Sequence, residues 1–406
     1  MPMRRRAFLA SAAAAAATVA TARAQFKPAV TLGDDIFVEG EWRALAGRGI
    51  GVITNQTGFT SESRSLVDAL VDKHIAVKAI FAPEHGFRGN RPAGEYVASY
   101  SDPASGLPVY SLYGPTRHPN AEMLRGVDVL VFDIQDVGSR AYTYISTMAY
   151  AMQSAKEHGL AFWVLDRPNP VGGTLVEGPV LDPAFSSFIG LYPIPMRHGM
   201  TIGELAKLFN DAFGIGADLH VVPMRGYDRS MIWSETGLNW IRTSPNIPTW
   251  QTTFPYLCTG LIDNAGINNG VGTNTPFFYA GAYGLDGAAL ANRLAQAHLP
   301  GVAFAAASWS PSRGFWAGKT LSGVRLEIAD PKAFLAVRSA VEILCAVREI
   351  APKYIEIKEA AALDRDWGTD TLRRKLIDGI GAQDILASWV PRLSAFERLR
   401  VKYLLY

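Results

Sequence analysis

Short apolar runs that alternate with helical patterns constrain the fold of this chain more than any other feature. Each run is rich in β-branched or aromatic residues and is long enough for one strand. The runs occupy residues 50–53, 76–81, 127–132 and 161–165, and the helical patterns between them occupy 66–71, 121–124 and 142–158. Such alternation is typical of a parallel sheet covered on both faces. The sequence therefore predicts an α/β lobe with a Rossmann-like, doubly wound parallel sheet, extended by a helix at 201–213 and a strand at 219–222.

The character of the chain changes after about residue 225. Residues 225–285 are rich in Gly, Asn, Thr, Pro and aromatics with weak periodicity, which indicates long loops lining a pocket. Two strand-like runs follow at 302–309 and 323–328, and helical patterns occupy 331–350, 370–380 and 384–403. With 406 residues the chain is long enough for two cores. We therefore predict a first domain at 25–225, a smaller α+β domain at 226–406, and a cleft between them.

The first 24 residues have the pattern of an export signal. Three arginines at 4–6 precede an alanine-rich apolar run, and Ala22-Arg23-Ala24 matches a cleavage site. This predicts a twin-arginine signal peptide and a periplasmic or secreted protein without a membrane span in the mature chain. Cleavage removes four arginines and no acid, which lowers the formal charge from +2 to −2. The mature chain then has no basic excess that would indicate nucleic acid binding.

Polar side chains follow each of the four apolar runs at its carboxyl end. The residues that follow them are Asn55 and Gln56 after the first run, Glu84, His85 and Arg88 after the second, Asp133, Gln135, Asp136, Arg140 and Tyr142 after the third, and Asp166, Arg167 and Asn169 after the fourth. In open parallel sheets, ligands bind outside these strand ends, where loops and helix N-termini meet. The sequence therefore predicts a polar pocket at one edge of the sheet.

The motifs of several enzyme classes do not occur in this sequence. It has no G-x-S-x-G elbow, no H-E-x-x-H pair and no Walker loop, and its seven histidines lack ligand spacing. We therefore predict neither a metal nor a cofactor. The two cysteines, Cys258 and Cys345, lie far apart in apolar surroundings, which favours two buried thiols over one bridge. Carboxylates, amides and aromatic rings in an exported protein suit a carbohydrate ligand.

Glycoside hydrolysis requires a carboxylic acid and a second group that acts as base or nucleophile. Glu84 is the best candidate for the acid, because Pro83 stiffens its approach at the end of a buried strand. His85 either assists it or is a turn histidine. The candidates for the second carboxylate are Asp133, Asp136, Asp166 and Glu177, with Asp136 preferred.

Several of these residues have alternative interpretations. Asp133 and Asp166 either act in the pocket or have a structural role, in which they cap the following turns or pair with Arg140 and Arg167. Arg197 either binds an anionic substituent or is a solvated surface charge. The candidates for sugar contacts are Asn55, Gln56, Arg88, Gln135, Arg140, Tyr142, Arg167, Asn169, Glu177, Arg197, His198 and Asp263.

Seven motifs in order resemble the NamZ-type exo-β-N-acetylmuramidases. They are N-Q-T-G at 55–58, P-E-H-G-F-R-G at 83–89, L-Y-G at 112–114, F-D-I-Q-D-V-G at 132–138, D-R-P-N-P at 166–170, V-E-G-P at 176–179 and R-H-G-M-T at 197–201. The resemblance implies a Rossmann-like lobe, a smaller C-terminal lobe and a cleft between them. It also implies removal of N-acetylmuramic acid from the non-reducing ends of peptidoglycan-derived saccharides. The motif glutamate of the family falls on Glu84, with His85 beside it.

One loop departs from the pattern of this family. At 262–277, two family glutamates are replaced by Asp263 and Asn269, and two arginines by Val271 and Thr275. Muramic acid differs from glucosamine by a lactyl carboxylate, for which arginine is the usual bidentate partner. The departure therefore leaves two alternatives to muramidase activity: a protein that binds muropeptides without cleaving them, and a glycosidase for a different glycan.

Overall fold

The structure is a computed structural model that describes residues 29–89, 95–96, 98–314, 316–355 and 360–406. The signal peptide predicted at 1–24 lies outside these residues. Within the described part of the chain, no helix combines the length and the apolar character that a bilayer span requires.

Strands and helices alternate through the first half of the chain. The strands are β1 Ile50–Thr54, β2 Val77–Ala82, β3 Tyr100–Ser101, β4 Pro108–Ser111, β5 Val129–Asp133, β6 Ala161–Leu165, β7 Glu177–Val180, β8 Pro195–Arg197, β9 Asp218–Val222, β10 Tyr279–Ala282, β11 Val302–Trp309 and β12 Leu321–Ile328. The α-helices are α1 Gly33–Glu39, α2 Leu66–Asp72, α3 Tyr144–His158, α4 Ile202–Asp211, α5 Thr253–Thr259, α6 Gly287–Ala295, α7 Ala336–Ile350, α8 Ala360–Trp367, α9 Thr371–Ile377, α10 Ala382–Ala387 and α11 Val390–Arg400.

A seven-stranded sheet forms the first lobe, in the order β3-β4-β2-β1-β5-β6-β9. All its pairings are parallel except the one between β3 and β4, and every residue of β1, β5 and β6 is buried. From β1 the chain moves outward to β2 and later returns to the other side of β1 as β5. The carboxyl ends of β1 and β5 therefore flank a topological switch point, where such sheets bind ligands. The predicted fold class is confirmed.

The second lobe is built on a three-stranded antiparallel sheet, in the order β10-β12-β11. Helices α5, α6 and α7 pack with this sheet around a core that also takes in Val171 and Met196 from the first lobe. Cys258 and Cys345 lie in the same core, and neither forms a disulfide. Burial raises the pKa of both thiols, which keeps them protonated and unreactive.

Three predicted helices differ from those observed. Residues 121–124 form turns in place of a helix, and the helix expected from 331 begins only at Ala336. The helix expected at 384–403 is interrupted between α10 and α11. Pro391 lies in the first turn of α11, where its missing N–H costs nothing, whereas in the interior of a longer helix it would remove a hydrogen bond.

Candidate active site

A cavity of about 540 Å³ lies at the predicted edge of the sheet. Both lobes contribute to its wall, and the residues that line it include Glu84, His85, Arg117, Tyr142, Tyr256 and Arg365. Residues from 244–277 of the long middle segment form much of the rest of the wall. Among the described lining residues Glu84 is the only carboxylate, which makes it the acid best placed to reach a bound sugar.

A tight turn presents Glu84 to the cavity directly after β2. The Gly86 N–H donates to the Pro83 carbonyl at 3.0 Å, and His85 and Gly86 both adopt left-handed backbone conformations, with φ of 71° and 75°. Glycine adopts such angles freely, but histidine does so at some cost, which a surrounding structure must offset. The His85 side chain is buried in the cavity wall. This conformation turns the half-buried Glu84 side chain towards the space between the lobes.

A threonine hydroxyl holds the Glu84 carboxyl group, and a tyrosine hydroxyl lies close to it. Thr143 Oγ1 donates to Glu84 Oε2 at 2.7 Å. The neighbouring hydroxyl is that of Tyr113, and burial together with the charge of Glu84 raises the pKa of that tyrosine. A short O–H···O bond fixes the orientation of a carboxyl group. Glu84 is therefore positioned as a general acid or base is.

Three tyrosines form one wall of the cavity. The ring of Tyr142 meets those of Tyr144 and Tyr256 edge-on, at centroid distances of 4.8 and 5.8 Å. The hydroxyls of Tyr142 and Tyr144 donate to Oγ1 and to the carbonyl oxygen of Thr243, at 2.7 and 2.6 Å. Burial raises the pKa of all three phenols, so the wall stays neutral. Neutral aromatic rings suit the apolar face of a sugar.

Asn55 and Gln56 lie behind this wall. Their side-chain amides lie close to the Tyr144 hydroxyl, and Gln56 Nε2 donates to the Arg242 and Thr243 carbonyls. Asn55 Oδ1 accepts hydrogen bonds from the Thr57 N–H and hydroxyl. The loop after β1 therefore braces the tyrosines and takes no direct part in the lining.

A second group of carboxylates approaches Tyr256 from the other lobe. Asp366, at the end of α8, has its pKa raised to about 6, mainly by burial and further by the nearby Asp263. Asn264 Nδ2 donates to Asp366 Oδ2. The Asp263 side chain is open to solvent, yet the surrounding protein mass raises the pKa of its carboxyl. Asp366 stands outside every motif, and its sequence neighbourhood gives no signal of a site.

Asp136, the predicted second carboxylate, forms a buried pair with His198. Asp136 Oδ2 accepts from the Gly138 N–H at 2.8 Å and lies 3.2 Å from His198 Nε2. The Met200 N–H donates to His198 Nδ1, so the ring proton of the neutral histidine lies on Nε2 and faces Asp136. Asp136 Oδ1 is buried without a hydrogen-bond partner among the described residues. The pair lies behind the cavity wall, near enough for Asp136 to raise the pKa of Tyr256.

Arg167 joins two buried carboxylates and does not line the cavity. Its Nε donates to Asp133 Oδ1 and its Nη2 to Asp34 Oδ2, both at 2.6 Å. Burial raises the pKa of Asp34, and repulsion from Asp133 adds to the effect. Of the two interpretations open for Asp133, pairing with an arginine is the one observed. The predicted sugar contact of Arg167 is corrected, because the side chain is buried and its guanidinium is paired with these two carboxylates.

Arg197 neither binds an anion nor lies in solvent. It is buried, and its Nη1 donates to Glu177 Oε2 at 3.0 Å. Arg140 is also buried, and its guanidinium donates to the carbonyls of Pro179, Ile194 and Asp366. These three side chains fasten the two lobes together behind the cavity. That position corrects their predicted role in sugar binding.

The other predicted contacts hold loops in place. Arg88 is exposed and pairs with Asp102 at 2.7 Å. Gln135 Nε2 donates to the Asp136 and Pro168 carbonyls, and Asn169 Nδ2 donates to the Met200 carbonyl. Within the described residues, no group of three or more acidic, histidine or cysteine side chains is arranged to hold a metal ion.

Comparison with known proteins identifies the family. The profiles described as exo-β-N-acetylmuramidase NamZ, N-terminal and C-terminal, match residues 50–251 and 254–406. The chain is 45% identical over 381 residues to peptidoglycan β-N-acetylmuramidase NamZ of Bacillus subtilis (strain 168), covering 94% of this chain and 92% of that one.

Two crystal structures of DUF1343 family proteins from Bacteroides fragilis NCTC 9343 are also similar. They have TM-scores of 0.88 and 0.76 at 35% and 28% identity. They match 94% and 93% of this chain, and 100% and 99% of their own. The resemblance inferred from the motifs is confirmed, and the chain belongs to the exo-β-N-acetylmuramidase NamZ family.

Proposed function

We propose that this protein is an exported glycosidase that removes N-acetylmuramic acid from the non-reducing ends of peptidoglycan fragments. The observation that carries the proposal is Glu84, which accepts a hydrogen bond from Thr143 and lies close to Tyr113 in a cavity between the lobes. The cavity volume is in the range of small-molecule sites. The named activity of the Bacillus subtilis relative supports the same reaction.

In the proposed mechanism, Glu84 gives a proton to the glycosidic oxygen as the bond to the sugar carbon breaks. The tyrosine wall supports the apolar face of the sugar. A second carboxylate either attacks that carbon itself, as in retaining glycosidases, or activates the water molecule that attacks it, as in inverting ones. Asp136 is our candidate for this role from the sequence. Asp366 is the competing candidate from the structure, because it approaches Tyr256 from the opposite lobe.

The test is hydrolysis of a chromogenic β-N-acetylmuramide and the matching β-N-acetylglucosaminide by the purified protein. We expect release from the muramide, and a loss of at least about 100-fold in kcat for Glu84→Gln. Glu39→Gln, which removes an exposed partner of Arg225, serves as the control and keeps full activity. Asp136→Asn and Asp366→Asn in the same assay identify the second carboxylate. A folded wild-type protein that releases neither chromophore would refute the proposal.

A second candidate function is binding of cell-wall saccharides without cleavage. The altered loop favours it, because residues 264–277 carry no charged side chain. Asn269, which replaces a family glutamate, is buried and donates to the Thr259 carbonyl. Calorimetric binding without turnover, unaffected by Glu84→Gln, would support this function over hydrolysis.

Export is a separate part of the proposal, supported by the arginines and the cleavage pattern at 1–24. Fractionation of expressing cells tests it. We expect mature protein beginning at Gln25 in the periplasm or medium, and retention in the cytoplasm after Arg5→Lys and Arg6→Lys together.

A further inference from the structure

Arg117 is a cation in the cavity wall, and its guanidinium lies against two aromatic rings. Its Cζ lies 3.9 Å from the ring centroid of Phe188 and 5.9 Å from that of Tyr113. The buried arginines described above each have acceptors within the protein. Arg117, by contrast, takes part in none of the salt bridges found among the described residues.

The aromatic contacts fix the plane of this guanidinium. Phe188 is 8% exposed and stacks on Tyr150 at 6.0 Å and an angle of 12°. His118 lies against the same tyrosine at 4.2 Å. Contact with an aromatic face occupies one side of a guanidinium and leaves the N–H groups at its edge free to bind. A fixed guanidinium edge matches the two oxygens of a carboxylate.

Arg117 is also close to the acid. The Tyr113 ring lies beside Arg117, while the Tyr113 hydroxyl lies close to Glu84. The cation and the acid are therefore separated by about the length of one tyrosine side chain. A sugar whose glycosidic oxygen lies at Glu84 would bring its ring substituents within reach of Arg117.

The other cation in the wall is less suited to bind an anion. Arg365 is exposed and adjoins Asp366, and its positive charge acts to lower the pKa of that carboxyl. Asp366 adjoins Arg365 in the sequence and offsets its field, whereas the residues on either side of Arg117 are Thr116 and His118. The loop at 262–277, where family members carry two arginines, supplies no cation in this chain.

We propose that Arg117 selects sugars that carry a carboxylate on a ring substituent, such as the lactyl ether of muramic acid, over the same sugar without it. This inference rests on the proposed function and assigns its specificity to one residue. Arg117 would compensate for the arginines absent from the altered loop. It acts on binding and positioning and takes no part in proton transfer.

The test compares Arg117→Gln and Arg117→Lys with the wild type on three chromogenic β-glycosides: the muramide, its lactyl methyl ester and the glucosaminide. For Arg117→Gln we expect kcat/KM on the muramide to fall about 10- to 100-fold, with little change on the two uncharged substrates. Arg117→Lys should recover part of the loss, because it keeps the charge without the planar fork. The control is Arg43→Gln, which removes an arginine stacked on Trp42 outside the cavity.

A second measurement separates this inference from the proposed hydrolysis. Calorimetry with free N-acetylmuramic acid and N-acetylglucosamine reports selectivity whether or not the protein turns over. Loss of the preference for the acid in Arg117→Gln supports the inference even if no substrate is cleaved. An unchanged preference in that variant, or a wild type without any preference, overturns it and leaves the test of Glu84 unaffected.

Discussion

At the scale of single residues, the site depends on neutral donors around one carboxylate. Thr143 precedes α3 at the N-cap position, yet its hydroxyl makes no capping bond and donates to Glu84. A threonine at this position normally stabilises its helix. Helix α3 therefore lacks a capping hydrogen bond from Thr143, because the hydroxyl orients the Glu84 side chain instead.

Asp366 makes the stability of the protein depend on pH in a defined direction. Burial raises its pKa to about 6, above its unfolded value near 4. Its stabilising contribution is complete below about pH 4. It is lost as the pH rises to about 6, because the unfolded chain ionises first. We expect the free energy of unfolding to fall by about 2 kcal/mol more in the wild type than in Asp366→Asn between about pH 4 and about pH 7.

Urea denaturation at the two pH values measures this difference. Asp378→Asn, at an exposed position in the same lobe, is the control and should track the wild type at both. Equal pH dependence in the wild type and Asp366→Asn would show that folding does not raise the pKa of Asp366.

Sequence patterns predict some of the residues that line the cavity and not others, for a physical reason. Glu84, His85 and Tyr142 can be predicted from the sequence because they follow apolar strands at the carboxyl edge of the parallel sheet. Arg117 and Tyr256 lie in segments without periodic patterns, and they reach the cavity only through contacts distant in sequence. Charge is visible in a sequence but burial is not. The sequence therefore predicts substrate contacts for Arg140, Arg167 and Arg197, although each has internal partners.

At the scale of elements, the β7–β8 hairpin holds the first turn of α7. Helix α7 begins after Leu335, which offers no side-chain cap. The Glu177 carboxylate takes that role, accepting from the Ala336 and Val337 N–H groups, both at 3.2 Å. A negative charge at a helix N-terminus also interacts favourably with the helix dipole. The same carboxylate pairs with Arg197, so one residue of the first lobe fixes a helix of the second.

Glu177→Gln should therefore destabilise the protein strongly. It leaves Arg197 buried without a counter-charge, which we expect to cost about 3–5 kcal/mol of unfolding free energy. Adding Arg197→Met removes the isolated charge, so the double variant should recover part of that loss. Urea denaturation of the two single variants and the double variant gives the coupling energy between the sites. Glu349→Gln, in the more exposed pair with Arg293, should cost less than about 1 kcal/mol. Additive losses at 177 and 197 would contradict this account.

At the scale of the whole molecule, the end of the chain returns to the first lobe. Arg400 donates to the Gly173 and Gly199 carbonyls, and the Tyr403 hydroxyl donates to Asp211. The Tyr406 hydroxyl donates to Asp166 at the end of β6, at 2.8 Å. Segments from both halves of the chain are therefore needed to complete the core around β6. We expect the two lobes to unfold in one transition.

Tyr406→Phe tests this cooperativity. It leaves Asp166 with one donor fewer, and the Met224 N–H loses its acceptor, the Tyr406 hydroxyl at 2.7 Å. Unpaired groups at a half-buried position should cost about 1–3 kcal/mol of unfolding free energy. Tyr354→Phe, which removes an exposed hydroxyl bond to the Tyr283 carbonyl, is the control and should change little. Because the lobes are joined through the hairpin and the returning chain, tryptophan fluorescence and far-ultraviolet circular dichroism should shift to lower urea together in Tyr406→Phe. A shift in one signal alone would mean that the lobes unfold separately.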